Sequence, residues 1–279
     1  MGLILDRALK DVVASLPGTM YDGESEVAVR GKQPLDELYA GEGVITAPLY
    51  SVGEGARYLR VAENTIRSWI DGRSYPVKKS GKARSGQIIV PAAVSGSGSR
   101  LSFLNLVEIH VLDALRRQYR LQLPDIRHAV LYLRDHFGSP NPLARRDMLT
   151  DGRHLFVEAI GSSGSSTLIN ASREGQLAMR DLVELHLRRI DWDPQGLVAR
   201  LYPFVGQRTP SPDVPRVIAI DPRLSFGRPV VARIGVPTGI IADRFDSGES
   251  IDDLADDYGA ETVEIQEAIR CEFQVPRAA

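Results

Sequence analysis

The segment Tyr50–Arg73, YSVGEGARYLRVAENTIRSWIDGR, constrains this chain more than any other. Apolar residues at helical spacing (Val52, Ala56, Leu59) follow Ser51, a residue suited to cap a helix. Val61 falls where a turn is needed. A second short helix, opening at Ala62 or Glu63, directs Ile66, Trp69 and Ile70 inward. Two short helices joined so tightly must cross at a small residue, and Ala56 is placed for that. On this reading Asn64, Thr65, Arg67 and Ser68 lie on or near the outer face of the second helix, where side chains reach base edges and phosphates in a major groove.

Downstream, Ser74–Lys79 and Gln87–Val90 are expected to pair as a hairpin, with the turn KKSGKARSG between them. That turn carries Lys78, Lys79, Lys82 and Arg84 and no acidic residue. A basic hairpin tip beside a recognition helix can follow the phosphate backbone, where each neutralised phosphate releases counterions. The candidate DNA-contacting set is therefore Ser51, Asn64, Thr65, Arg67, Ser68, Arg73, Lys78, Lys79, Lys82 and Arg84.

Charge is segregated along the chain. The 279 residues carry a net charge of -2. Residues 48–150, however, hold 16 basic and 8 acidic side chains, whereas residues 216–279 hold 7 and 12. A basic block within an acidic protein is the footprint of one module that meets a polyanion. Four segments follow: an extension at 1–47, punctuated by glycine and proline after one amphipathic stretch at 3–15; a winged helix-turn-helix at 48–150; a middle segment and linker at 151–215; and an acidic module at 216–279. Ser95–Ser99 reads as a boundary.

The middle segment is expected to hold a hairpin over 154–170, a helix over 178–188, and a second hairpin closed by Asp193, Pro194, Gln195 and Gly196. Asp191 and Asp193 read as turn chemistry, since a calcium loop needs further oxygen ligands at regular spacing. The acidic module reads as a short strand (Val217, Ile218, Ile220), a loop over Gly227–Pro237, and three helices: Thr238–Phe245, one capped by Ser250, and Glu261–Phe273. The last two repeat the helix-turn-helix pattern, but their outer faces carry Asp252, Asp253, Asp256 and Asp257, then Glu261, Glu264, Glu267 and Glu272. Repulsion from phosphate bars that pair from a groove. It reads either as a protein-contact module or as a solvated acidic face. The fold class is mainly α with small β-hairpins, α+β.

The single cysteine, Cys271, rules out a disulfide framework and reads as an apolar filler. The histidines (His110, His128, His136, His154, His186) form no tight ligand pair. No nucleophile and base pair, phosphate-binding glycine loop or metal-spaced set appears, so no catalytic residue, metal or cofactor is expected. Neither a membrane-length apolar run nor a leader pattern occurs, and a cytoplasmic, non-enzymatic protein is expected.

YSVGEGARYLRVAENTIRSWIDG, with LSFLNLVEIHVLDALRRQYRLQLPDIRHAV at 101–130, resembles the winged helix of the MerR superfamily. In the second stretch Leu104, Val107, Ile109, Leu112 and Leu115 face inward, and Leu123 and Ile126 start the next helix. The loop GRPVVARIGVPT resembles the hallmark of the domain-of-unknown-function 433 family. Gly227, Pro229, Gly235 and Pro237 match it, while Arg233 replaces a usual glycine and Ile234 a threonine. The two together, with QLAMRDLVELHLRRIDWD and GLVARLYPF between them, are similar to VapB-type antitoxins. That resemblance implies a homodimer that binds operator DNA, represses its own operon and neutralises a PIN-like ribonuclease toxin. In such a complex an arginine could replace the charge of the toxin's catalytic magnesium, with Arg228 and Arg233 as candidates. Alternatively the Asp252, Asp253, Asp256 and Asp257 cluster could cover a basic RNA-binding surface. The competing reading is a stand-alone MerR-like regulator that answers to a small molecule.

Overall fold

The computed structural model describes residues 42–72, 74–77, 81–84, 86–96, 98–119, 122–149, 156, 158–160, 184–203 and 214–273. These belong to one compact unit, residues 35–279. It is mainly helical, with small antiparallel strand pairs. The amphipathic stretch expected at 3–15 lies outside the described residues.

A short helix α1 (Glu42–Thr46) leads into strand β1 (Tyr50–Ser51) and helix α2 (Val52–Leu59). Ser51 accepts from the Glu54 amide at 3.1 Å while the Glu54 carboxylate accepts from the Ser51 amide at 2.8 Å. This reciprocal box satisfies two otherwise orphaned N–H groups and fixes where the helix starts. Arg60 ends α2 in the left-handed region (φ 56°), Val61 is fully buried in the turn, and α3 (Glu63–Ile70) follows. The expected inner faces are the observed ones: Val52, Ala56, Leu59, Ile66, Trp69 and Ile70 are all buried.

The tightest packing on α2 falls one residue earlier than expected. A Cβ on Gly55 would lie 2.9 Å from Leu101 Cδ1 and 3.2 Å from Leu106 Cδ2, so α2 rests directly on the strand and helix that follow.

The hairpin after α3 exists, with a different return strand. β2 (Ser74–Val77) pairs antiparallel with β3 (Gly81–Arg84), Ser74 opposite Arg84 and Val77 opposite Gly81. Gln87–Val90 is not a strand. Instead the Ile88 and Ile89 amides donate to the Trp69 carbonyl at 2.7 and 3.1 Å, and both side chains are buried. The apolar pair was worth more inside the core than on a ladder, each fully buried aliphatic side chain contributing roughly 1.5–3 kcal/mol.

Ser95–Ser99 is likewise no boundary. It turns a hairpin of β4 (Ala93–Ser95) and β5 (Gly98–Leu101), and β5 pairs with β1 to complete a three-stranded sheet in the order β1-β5-β4. Helix α4 (Phe103–Tyr119) then buries Phe103, Leu106, Val107, Ile109, Val111, Leu112 and Leu115, and α5 (Leu123–Phe137) packs beside it through Ile126, Ala129, Val130 and Leu133.

Phe156 and residues 158–160 are helical, not part of a hairpin; the rest of the 154–170 expectation lies outside the described residues. Residues 184–187 are helical as expected. They precede β6 (Ile190–Trp192) and β7 (Val198–Leu201), which form the second expected hairpin. Asp193 Oδ1 accepts from the Gln195 and Leu197 amides at 3.0 and 2.8 Å, the turn chemistry inferred for it.

In the C-terminal module β8 (Ile218–Ala219) pairs with β9 (Val230–Val231), a strand inside what was expected to be only loop. Helices α6 (Thr238–Asp246), α7 (Ile251–Tyr258) and α8 (Thr262–Phe273) close on a core of Ile241, Leu254, Ile265, Ala268 and Cys271. Ser250 caps α7 through the Asp253 amide, and Gly259 ends it at φ 58°. Val263, expected inward, is 45% exposed; Ala268 and Cys271 fill that face instead.

This module packs onto the helix-turn-helix. Arg57 of α2 pairs with Glu272 of α8 at 3.0 Å. The backbone of Gly227 (φ 75°) lies against Tyr50, and a Cβ there would sit 2.2 Å from the Tyr50 hydroxyl. Gly227 is required twice, by its left-handed backbone and by this contact. Gly227→Ala is therefore expected to cost about 2–4 kcal/mol, which lowers the melting temperature by about 5–10 °C. Tyr50→Phe deletes a buried hydroxyl that has no partner among the described residues and should be close to neutral alone. Combined with Gly227→Ala it should recover part of the loss. Thermal unfolding of the four proteins checks this, and strict additivity would refute it.

Candidate nucleic-acid and partner interfaces

Helix α3 presents three exposed side chains at its start and middle: Glu63, Asn64 and Arg67. Arg67 Nε and Nη2 both bond Glu63 Oε1, at 3.0 and 2.5 Å, one turn apart on the surface. A guanidinium held at its edge by a carboxylate keeps its remaining donors fixed in direction, the requirement for bidentate reading of a base or phosphate. Glu63 was not in the expected set, although the spacing of four residues between it and Arg67 signalled the pair.

Thr65 is corrected. It is only 7% exposed, turned toward the core between Ala62 and Trp69, so it is not on the outer face. Ser68 is half-buried and its hydroxyl donates to the Thr65 carbonyl at 2.7 Å. Ser51 serves as a helix cap, with its hydroxyl also bonded to Glu54 Oε2 at 2.8 Å.

The segment that returns from the hairpin β2–β3 is fixed to the end of α3. Beyond the Trp69 bonds to Ile88 and Ile89, Arg134 of α5 donates to the Ile88 carbonyl at 2.9 Å, Arg127 to the Gly86 carbonyl at 2.9 Å, and Asn105 of α4 to the Val90 carbonyl at 2.8 Å. Three side chains from two helices thus hold the segment returning from the hairpin. Lys82 and Arg84 lie on the return strand, not in the turn as expected. Arg73, Lys78 and Lys79 lie outside the described residues.

In the C-terminal module the two candidate arginines part company. Arg233 is bound within the module: its guanidinium grips Glu264 (2.6 Å from Nη2 to Oε2, 3.1 Å from Nε to Oε1) and donates to the Gly259 carbonyl at 2.8 Å. Its backbone does not adopt a positive φ, so the arginine that replaces the usual glycine fits without strain. Glu264 is accordingly buried rather than part of an exposed acidic face, and the Arg233 guanidinium holds its carboxyl below the ordinary range. Glu272 is similarly taken by Arg57 and by the Thr238 hydroxyl at 2.5 Å.

Arg228 is exposed and makes no side-chain bond among the described residues. Of the four aspartates, Asp257 pairs with Arg244 at 2.6 Å and Asp253 accepts from Ser250 at 2.6 Å. Asp252 and Asp256 stand exposed on α7. Among the described residues no group of three or more His, Cys, Asp or Glu side chains could hold a metal ion, and no helix is long and apolar enough to cross a membrane.

Comparison with known proteins places this arrangement. Residues 48–130 match a family model described as "Putative DNA-binding HTH domain", and residues 218–270 match "Protein of unknown function (DUF433)". A protein of Mycobacterium tuberculosis (strain ATCC 25618 / H37Rv) named "Putative antitoxin VapB45" is 30% identical over 232 residues, covering 80% of this chain and 92% of that protein. The chain belongs to the VapB-type antitoxin family. Among solved structures, the crystal structure of Rv2018 from Mycobacterium tuberculosis shares the fold with a TM-score of 0.59 at 24% identity, over 80% of this chain and 98% of the other. In this chain the fold joins a helix-turn-helix to a small module, two of whose acidic side chains, Glu264 and Glu272, are turned to internal packing.

The Arg233 grip makes a signed prediction for this antitoxin. Glu264 is held below its ordinary value of 4.5, so the pair's stabilisation is full above that pH and is lost as pH falls through the lower folded value. Arg233→Gln should lower the melting temperature at pH 7, and the gap to the native chain should shrink as the pH is taken below about 4.5. A gap that does not change with pH would place the stabilisation elsewhere.

Proposed function

We propose that this antitoxin binds operator DNA as a homodimer, represses its own transcription, and neutralises a PIN-like ribonuclease toxin encoded beside it. The observation that carries the DNA half is the exposure of Asn64 and Arg67 on α3, followed by a basic hairpin whose returning segment is bonded to the end of the same helix. Asn64 has the donor and acceptor pair that suits adenine, and Arg67 the fork that suits guanine. Lys78, Lys79, Lys82 and Arg84, on or next to the hairpin, supply charge for phosphates and no sequence preference. Thr65 and Ser51 support these residues from within and are not assigned to the DNA face.

For the toxin half, the cation that reaches a partner is Arg228, because Arg233 is already bonded to Glu264 and Gly259. Asp252 and Asp256 on α7 favour a basic neighbouring surface on the same partner.

Gel-shift titration with the fragment upstream of the gene tests the DNA reading. Arg67→Ala and Asn64→Ala should each weaken retention about tenfold or more, and Lys82→Ala should lower the slope of log affinity against log salt by about one. Thr65→Val should stay within about twofold of the native chain. Retention by the native chain that is unaffected by Arg67→Ala would remove α3 from the groove. Co-expression with the neighbouring gene product tests the toxin reading, which requires that growth arrest be relieved.

A further inference from the structure

Leu224–Arg228 forms a turn of unusual backbone. Ser225 (φ 48°), Phe226 (φ 55°) and Gly227 (φ 75°) are all left-handed, closed by bonds from the Gly227 amide to the Leu224 carbonyl (2.8 Å) and from the Arg228 amide to the Ser225 carbonyl (3.1 Å). Glycine accepts this conformation freely. Serine and phenylalanine do not, because their Cβ crowds the following carbonyl there. The phenylalanine gains no burial in return, since Phe226 is 69% exposed. Local stability alone would place glycine or asparagine there.

The surroundings say what the side chain is held for. Leu224 and Ile240 stand 42% and 49% exposed, and Phe226 and Ile240 line a cleft of about 560 Å³ between α2 and the N-terminal end of α6. Of the cleft's other charges, Arg57 and Glu272 neutralise each other, Glu54 is bonded to Ser51, and Asp243 makes no ion pair among the described residues. Arg228 is two residues from Phe226. Every other described arginine of the module is paired within the chain: Arg216 with Asp191, Arg223 with Asp193, Arg233 with Glu264, Arg244 with Glu249 and Asp257, and Arg270 with Glu267. The turn therefore displays one large apolar ring beside a guanidinium that makes no ion pair among the described residues.

We propose that this turn is the docking anchor for the protein partner: Phe226 enters an apolar slot on the toxin, and Arg228 pairs with a carboxylate at the edge of that slot. The inference rests on the toxin-neutralising reading and deepens it by naming where the partner sits. Buried aromatic and arginine anchors dominate binding energy in such contacts, and a rigid turn loses little freedom when it docks. Because the cleft is walled by α2 as well as by the C-terminal module, the occupant touches both.

The test uses the full chain and the protein encoded by the adjacent gene, with affinity from titration calorimetry. Phe226→Gly suits the backbone better than the native residue, so the variant should melt at the same temperature or higher while binding the partner about 30-fold more weakly or worse. Arg228→Glu should weaken binding by at least as much. Native binding with both variants within threefold of it would overturn the anchor and leave the antitoxin reading standing. No binding by the native chain would overturn both. If light scattering shows instead that Phe226→Gly converts a dimer to a monomer while partner affinity is kept, the turn is a self-association surface and the proposal fails.

Discussion

Tyr50 lies at the junction of the helix-turn-helix and the C-terminal module. Its strand pairs with β5 to complete the sheet under the helix-turn-helix, its neighbour Ser51 starts α2, and its hydroxyl end meets the backbone of Gly227 in the C-terminal module. Burial pushes the Tyr50 phenol far above its ordinary range, so the ring stays neutral and acts as an apolar strut. Where this ring ends, only glycine fits, and the left-handed turn that follows from Gly227 sets the direction of Phe226 and Arg228. Position on one module is thus transmitted to the exposed turn of the other by a hard steric contact, which tolerates less change than an ion pair would.

Helix α2 shares that burden from its two sides. One side meets Leu101 and Leu106 at Gly55, close enough to exclude a methyl group, and the other gives Arg57 to Glu272. The eight-residue helix has almost no stability of its own, being too short to repay its nucleation in water. Its cap and its two packing faces hold it, which is why the sequence around it is so specific: Ser51 and Glu54 for the cap, Gly55 and Ala56 for close approach, Arg57 for the module beyond.

Much of this was legible in the sequence, and the failures share a cause. Helical periodicity placed the inward residues of α2 and α3, Ser250 and Gly259 marked the ends of α7, and Asp193 marked its turn, because each depends on neighbours within a few residues. Where distant contacts decided, local pattern misled. Gln87–Val90 has strand composition, yet Trp69 and the core took Ile88 and Ile89. Thr65 looked polar enough for an outer face, but with Ile66 and Trp69 inward the helical wheel carries it in too. Glu264 looked like one more acidic surface residue until Arg233, 31 positions away, was brought against it. The strained turn at Phe226 had no local signal at all, since nothing in LSFGRP announces three left-handed residues.

The two helix-turn-helix patterns in one chain differ in fate because of what their second helices leave outside. In α3 the core takes Thr65, Ile66, Trp69 and Ile70, and the remaining face shows Asn64 and a buttressed Arg67 beside a basic hairpin. In α8 the core takes Ile265, Ala268 and Cys271, and two of the polar side chains that remain are drawn inward by arginines: Glu264 by Arg233, Glu272 by Arg57. Two acidic residues that would repel DNA have become the means by which the module closes on itself and fastens to α2. The same supersecondary frame therefore leaves an exposed Asn64 and a Glu63-braced Arg67 on one second helix, and on the other turns two of its carboxylates into an internal joint. Beside that joint, the turn before α6 leaves the Phe226 ring exposed and the Arg228 guanidinium without an ion pair among the described residues.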